Sequence, residues 1–338
     1  MSQNSRLRTI TLEEHYATPA FMEGPGSNMS RLSDAVKSNP YIGSLFSNLL
    51  PNLIDIGEKR IAQMDEAGID MQVLSLTSPG TEQLEGEEAV RVARDTNDTL
   101  AAAVKLHPDR LAGFAAVPTA VPDKAADELE RTVREYRFKG VLINGHCRGR
   151  YLDDRYFWPI LERAQELGVP IYLHPTRPPQ PVVQTYYTGN FSQVVSMGLQ
   201  IAAWGWHIET AVHVIRMIAS GLFDKYPKLQ LVIGHLGEGL PFMLERLDQN
   251  FPPQVTKLER PSFSSYLREN VHYTFSGFNF LPTFLDLLLE VGVDRIMFSA
   301  DYPYASMKEA RNFLDRIPVS PADREKIAHV NAERLFRF

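Results

Sequence analysis

The chain has 338 residues, 44% of them hydrophobic, and a formal net charge of −6, with no Lys/Arg-rich block; a large buried core follows, and the charge pattern argues against nucleic acid as the main partner. Cys147 is the only cysteine, which excludes an intrachain disulfide or a Cys-based zinc cluster and fits a reducing compartment. The polar start leaves no room for a secretory leader, and the longest apolar stretches, such as 284–293 with Asp286 and Glu290, fall short of a membrane span. The expectation is a cytoplasmic protein that avoids membranes.

Eight apolar runs read as strands, at 9–15, 71–76, 111–117, 140–144, 171–174, 229–235, 271–275 and 295–299. Helical periodicity separates them over 86–106, 123–136, 156–167, 208–222, 239–250, 281–290 and 307–316, with a last helix at 322–335. Pro282 near one helix start, and Gly168 and Gly292 after two helix ends, mark boundaries. Near-continuous apolar strands alternating with helices predict a parallel sheet buried on both faces. A doubly wound sheet usually carries a Gly-rich phosphate loop after its first strand, and none follows His15. Potential ligands instead end the first, fifth, sixth and eighth runs, and only a closed barrel sets the first and eighth strands side by side. The fold class expected is α/β, a single (β/α)8 TIM barrel domain over 1–338 with an inserted loop region at about 17–56. The proline-rich segment 175–184 reads as a stiff second loop at the same end.

In Leu12-Glu13-Glu14-His15, strand alternation puts Glu13 and His15 on one face and Glu14 on the other. With His174 and Asp301 they make a mixed carboxylate and imidazole set suited to zinc, manganese or iron(II). Each residue alone has an ordinary structural explanation; four at matching strand tails are the argument for one metal site. Two carboxylates make bound water less acidic, which favours a metal that grips an anionic oxygen substrate. His235 opens Gly234-His235-Leu236-Gly237-Glu238, a polar corner where Glu238 can fix the imidazole tautomer. Asp301, at the end of a buried strand, reads as a proton shuttle. His207 reads as pocket lining and His213 as packing.

These motifs, with Met64-Asp65-Glu66-Ala67-Gly68-Ile69-Asp70, Phe223-Asp224-Lys225-Tyr226-Pro227-Lys228-Leu229, Leu173-His174-Pro175 and Phe298-Ser299-Ala300-Asp301-Tyr302-Pro303, resemble the amidohydrolase superfamily. The resemblance is to its branch of metal-dependent non-oxidative decarboxylases, which act on resorcylate, dihydroxybenzoate or aminocarboxymuconate semialdehyde. It implies a distorted barrel with one divalent ion, Zn2+ or Mn2+, and no organic cofactor. Glu13, His15, His174 and Asp301 would be the ligands, with His235 and Glu238 beside them. Many amidohydrolases begin with His-x-His; the Glu13-Glu14-His15 found here is similar to the resorcylate type. The resemblance also implies that Arg60 and Arg246 hold a substrate carboxylate, Arg246 from a neighbouring subunit of a homodimer or homotetramer. The expected reaction is reversible loss of carbon dioxide from an ortho-hydroxylated aromatic acid, stacked by Tyr16, Phe21, Trp206, Tyr302 or Tyr304. The competing expectations are a metal-dependent hydrolase of an ester, lactone or amide, and a non-catalytic binding barrel.

Overall fold

The computed structural model describes residues 6–27 and 49–338. Eight strands run in chain order: β1 (Ile10–Tyr16), β2 (Met71–Leu76), β3 (Leu111–Gly113), β4 (Val141–Asn144), β5 (Ile171–His174), β6 (Leu231–Ile233), β7 (Val271–Thr274) and β8 (Ile296–Met297). All pairings are parallel, β1 to β3 in one ladder and β4 to β8 in another. A bridge between Ala115 and Val141 joins the ladders on one side. On the other side no ladder forms, because β8 is short. There the His15 amide donates to the Tyr302 carbonyl at 2.7 Å, and the Glu13 amide to Ser299 Oγ at 3.1 Å. The outcome is the (β/α)8 architecture expected from the sequence.

Inward-facing residues fill the cylinder: Leu12, Val73, Phe114, Leu142, Tyr172, Val232 and Met297 belong to one buried cluster. The helix Asn331–Phe336 closes its lower end, with Phe336 packed 5.4 Å from Phe114. The helices wrap the outer faces of the strands. Helix Gly86–Leu106, for example, buries Ala89, Val92, Ala93, Thr96, Leu100 and Ala103, spaced as one stripe. Helices Glu58–Ala67 and Trp158–Leu167 end on Gly68 and Gly168 at φ +73° and +65°, a conformation costly for any residue with a Cβ.

Several expected boundaries move. The runs at 111–117, 229–235 and 295–299 contain only three, three and two strand residues; Leu229, Gln230 and Arg295 precede their strands at the lower end, Ala115 keeps a single bridge, and the residues that follow lead toward the upper rim. The helix expected at 239–250 becomes a short turn at Pro241–Met243 followed by Leu244–Asn250. That at 322–335 breaks into Pro321–Glu325, a π-helical turn and Asn331–Phe336. Helix Glu58–Ala67 is an addition, and helix Gln180–Tyr186 begins inside the proline-rich segment, its proline in the first turn where no amide is missed. Of the insertion expected at 17–56, residues 28–48 lie outside the described residues. No described helix is long and apolar enough to cross a membrane.

Candidate active site

A bulge in β1 aims the first two groups. Thr11 pairs with Gln72 and Glu14 with Leu74, so Leu12 and Glu13 together oppose Val73. The extra residue shifts the pleat. Leu12 faces the interior core, and above it Glu13 and His15 face inward while Glu14 turns outward; without the bulge Glu14 would take the inward place.

Glu13 is held by one of its two oxygens. Oε2 accepts from Ser276 Oγ at 2.5 Å and from the Tyr172 hydroxyl. Oε1 is buried without a hydrogen-bond partner, 3.4 Å from His174 Nε2 and 3.7 Å from His235 Nε2. His15 Nε2 is likewise buried and unpartnered, 3.2 Å from Asp301 Oδ1. The rings of His15 and His174 meet edge to face at 4.8 Å. Burial, the chief cause, lowers these imidazoles to about 4 and about 3, so both are neutral and free to ligate. Buried polar atoms without partners are costly. Here they converge, with donor atoms of Glu13, His15 and His174 within 4.8 Å of one another. One carboxylate oxygen and two neutral imidazoles, with Asp301 alongside, fit a divalent ion such as manganese or zinc.

His235 follows β6 in left-handed backbone, as do Leu236 and Glu238 (φ +50°, +54° and +57°), a conformation that persists only where the surroundings enforce it. The enforcing contact is Glu238. Its Oε1 lies 2.7 Å from His235 Nδ1 and its Oε2 2.6 Å from His207 Nδ1. With both oxygens taken, this trio is a hydrogen-bonded relay, not a second ligand set. Burial works against a charge on His235, but the Glu238 and Glu13 carboxylates outweigh it and lift the ring to about 10. His207 thus joins the His235–Glu238 pair, and its other nitrogen meets the Ala202 carbonyl at 2.9 Å.

Asp301 closes the ring of groups, at φ +64°. Burial raises its carboxyl to about 7, with Glu238 adding and His235 opposing. Its position is set by Glu14, fully buried on the outer side of β1, which accepts from the Ala300 amide at 2.8 Å and the Tyr302 amide at 3.1 Å. Glu14 therefore grips both neighbours of Asp301.

Other expected residues stand elsewhere. Arg60 does not reach the rim: fully buried, it donates to the main-chain carbonyls of Asp55, His15 and Asn52 at 2.8, 2.8 and 2.9 Å. A guanidinium engaged in this way ties the loop to β1 and is not available to a substrate carboxylate. Arg246 is exposed on helix Leu244–Asn250, without a described partner in its own subunit. The Tyr16 hydroxyl donates to the Thr96 carbonyl, Phe21 is in the outer core, and the Tyr302 hydroxyl meets Gln63. Tyr304 and Trp206 do border the site, 5.4 Å from His15 and 6.4 Å from His174 between ring centres. Phe278, which no sequence motif marks, packs 5.3 Å from His235 and 5.0 Å from His207. Tyr172 and Ser276, the partners of Glu13, belong to no motif either. Tyr172 lies two residues before His174, so strand alternation alone signals its inward face.

The chain matches the Amidohydrolase family over residues 48–338. A γ-resorcylate decarboxylase from a Rhizobium species is 37% identical over 340 residues, covering 97% of this chain and 98% of that protein. A crystal structure of 2,6-dihydroxybenzoate decarboxylase complexed with 2,6-dihydroxybenzoate superposes with a TM-score of 0.86 at 35% identity, over 98% of this chain and 99% of that one. A dihydroxybenzoic acid decarboxylase from Polaromonas sp., with bound manganese and the inhibitor 2-nitroresorcinol, gives a TM-score of 0.86 at 36% identity, over 98% and 97%. The chain belongs to the amidohydrolase family.

Proposed function

We propose that this chain is a metal-dependent, non-oxidative decarboxylase of an ortho-hydroxylated aromatic acid. The observation that carries the reading is the convergence on one rim of an unsatisfied Glu13 oxygen, two neutral imidazoles and a protonatable Asp301 beside the His235–Glu238 pair. The full-length relatives with γ-resorcylate and dihydroxybenzoate decarboxylase activities support it.

Glu13, His15, His174 and Asp301 would hold the divalent ion, which when bound supplies the positive charge that fixes the substrate carboxylate and its ortho oxygen. Asp301 gives its proton to the ring carbon that bears the carboxylate, interrupting aromaticity. The carbon–carbon bond then breaks, its electron pair returns to the ring, and carbon dioxide leaves. The balance is one arenecarboxylate and one proton in, one phenol and one carbon dioxide out. His235, oriented by Glu238 and already protonated, donates to the ortho oxygen and balances its charge. Phe278, Tyr304 and Trp206 border the ring's place. Asn144, in register with His174, keeps a buried Oδ1 without a donor, which a second ring hydroxyl would satisfy.

The assembly belongs to the same proposal. Exposed Phe242 and Met243 immediately precede the helix that carries Arg246, and their turn contacts helix Leu281–Val291, at whose start Phe280 and Leu281 are exposed; a homodimer or homotetramer would cover them, and light scattering of the purified protein tests this.

Metal-loaded enzyme should release carbon dioxide from 2,6-dihydroxybenzoate or another ortho-hydroxybenzoate. Asp301→Asn should still fold and cost about 10³-fold in rate. Cleavage of esters, lactones or amides, with no carbon dioxide from any ortho-hydroxybenzoate, would overturn the assignment.

A further inference from the structure

The pole opposite the metal-type ligands holds a cavity of about 600 Å³ bordered by Lys228, Gln230, His272, Arg295, Arg334 and Arg337. Three of these come from the barrel wall itself. Gln230, His272 and Arg295 stand two residues before Val232, Thr274 and Met297, so strand alternation gives them the same inward face, one layer lower. The packed layer of Val232, Tyr172 and Met297 separates them from the upper site. The other cations come from the closing helix and its end, and from the turn before β6.

The charge in this cavity is not neutralised from within. Among the described residues, Lys228, Arg295, Arg334 and Arg337 have no ion pair with any carboxylate. The two carboxylates on the lining are already engaged outside it, Asp294 with Lys326 at 3.0 Å and Glu166 with Arg163 at 3.4 Å. Four cations against two carboxylates leave a formal excess of +2, in a chain whose total is −6. The arginines make only neutral contacts. Arg295 Nη1 donates to Gln230 Oε1 at 3.3 Å and to His272 Nε2 at 3.1 Å. Arg334 Nη2 donates to the Asp294 carbonyl at 3.0 Å and to Asn331 Oδ1 at 3.2 Å.

His272 supplies a second, independent sign. Burial first, then Arg295 and Arg334, lower its ring to about 3, so it is neutral. Its Nε2 stands 3.1 Å from both Arg295 Nη1 and Gln230 Oε1, and its Nδ1 is buried without a hydrogen-bond partner. The residue is 5% exposed. An unpartnered ring nitrogen and a half-buried guanidinium thus stand together at the base of an uncompensated positive cavity. Guanidinium groups match the paired oxygens of a phosphoryl group, and an excess of two positive charges matches its dianion. The volume lies within the range of small-molecule sites, roughly 300–1,000 Å³, so there is room for more than the anionic group.

We propose that this lower cavity is a second ligand site, separate from the decarboxylation site, that binds a small phosphate-bearing molecule through Arg295, Arg334, Arg337 and Lys228. The inference stands whether or not the upper site is a decarboxylase.

Inorganic phosphate is the probe, titrated calorimetrically into the full-length, metal-loaded protein at fixed ionic strength set with sodium chloride. Saturable binding is expected, weakened at least tenfold in the double variant Arg334→Ala/Arg337→Ala and also weakened in Lys228→Ala. All three residues are exposed, so folding should survive, and turnover without phosphate should match the parent enzyme. Three results overturn the proposal: no heat beyond the chloride control, equal affinity in the double variant (which puts the anion at the metal end), or tighter binding of succinate than of phosphate.

Discussion

Glu14 lies between two residues with metal-type side chains and serves neither as a third ligand nor as an exposed charge. Its carboxylate crosses the open seam between β1 and the turn after β8, and accepts from the amides on both sides of Asp301. Burial pushes it up to about 8, while those same amides favour its charged form. Glu14→Gln keeps the shape but offers an NH2 to one of the two amides. It should reduce kcat about 10–100-fold with KM and metal content little changed, since the loss is in where Asp301 stands. Glu14→Leu leaves both amides buried and unpaired and should cost about 2–4 kcal/mol of stability. Steady-state kinetics, elemental analysis and urea unfolding check this; a fully active Gln variant would remove Glu14 from the positioning role. Arg60 teaches the same lesson from the other side, because a conspicuous arginine near a motif turned out to tie chain segments together.

Elements set the site through small irregularities of β1 and β6. The β1 bulge doubles Leu12 and Glu13 against Val73, and so switches which face the following residues present. Across the barrel, β6 must make room for the carboxylate that the bulge delivers. A Cβ on Gly234 would stand 2.4 Å from Glu13 Oε2 and 2.9 Å from Ser276 Oγ. The Gly234 backbone, at φ −85°, is open to any residue, so the demand for glycine is purely steric. Gly234→Ala should fold with a loss of about 1–3 kcal/mol, and lose metal affinity at least tenfold as Glu13 is displaced. Titration with manganese, followed by its paramagnetic resonance, measures that affinity; unchanged binding would show that Glu13 tolerates the displacement.

At the scale of the whole molecule, the two poles of one cylinder differ because alternate residues of the same strands carry different chemistry at their two ends. An ion that binds only the folded chain stabilises it by mass action, about 4 kcal/mol at a thousandfold excess over its Kd. Chelation should therefore lower the melting temperature by roughly 5–10 °C, reversibly on adding Mn2+ back. Stability should also depend on pH through Glu82, 1% exposed, whose Oε1 accepts from the Asn144 amide at 3.0 Å. Burial, partly offset by that hydrogen bond, raises it from 4.5 to about 7. The folded protein holds this proton more tightly than the unfolded chain, so its contribution is full below about pH 4.5 and is lost as pH rises through about 7. Glu82→Gln cannot ionise and should gain up to about 3 kcal/mol on the parent between pH 5 and pH 8.5. Parallel unfolding curves for the two proteins would refute the cause.

The sequence by itself determined the alternation of strands and helices, and the tails on which Glu13, His15, His174, His235 and Asp301 stand. It also determined that Glu13 and His15 share a face, because pleat and periodicity are local properties of the chain. Tertiary structure alone decided which way that face points, since a bulge is defined by its partner strand and leaves no mark in residue type. The seam between β1 and β8, the burial of Arg60, the arrival of Phe278 and the uncompensated cations of the lower pole were decided there too. Each depends on which segments meet across many intervening residues, and polar or charged side chains do not announce their partners in the order of the chain.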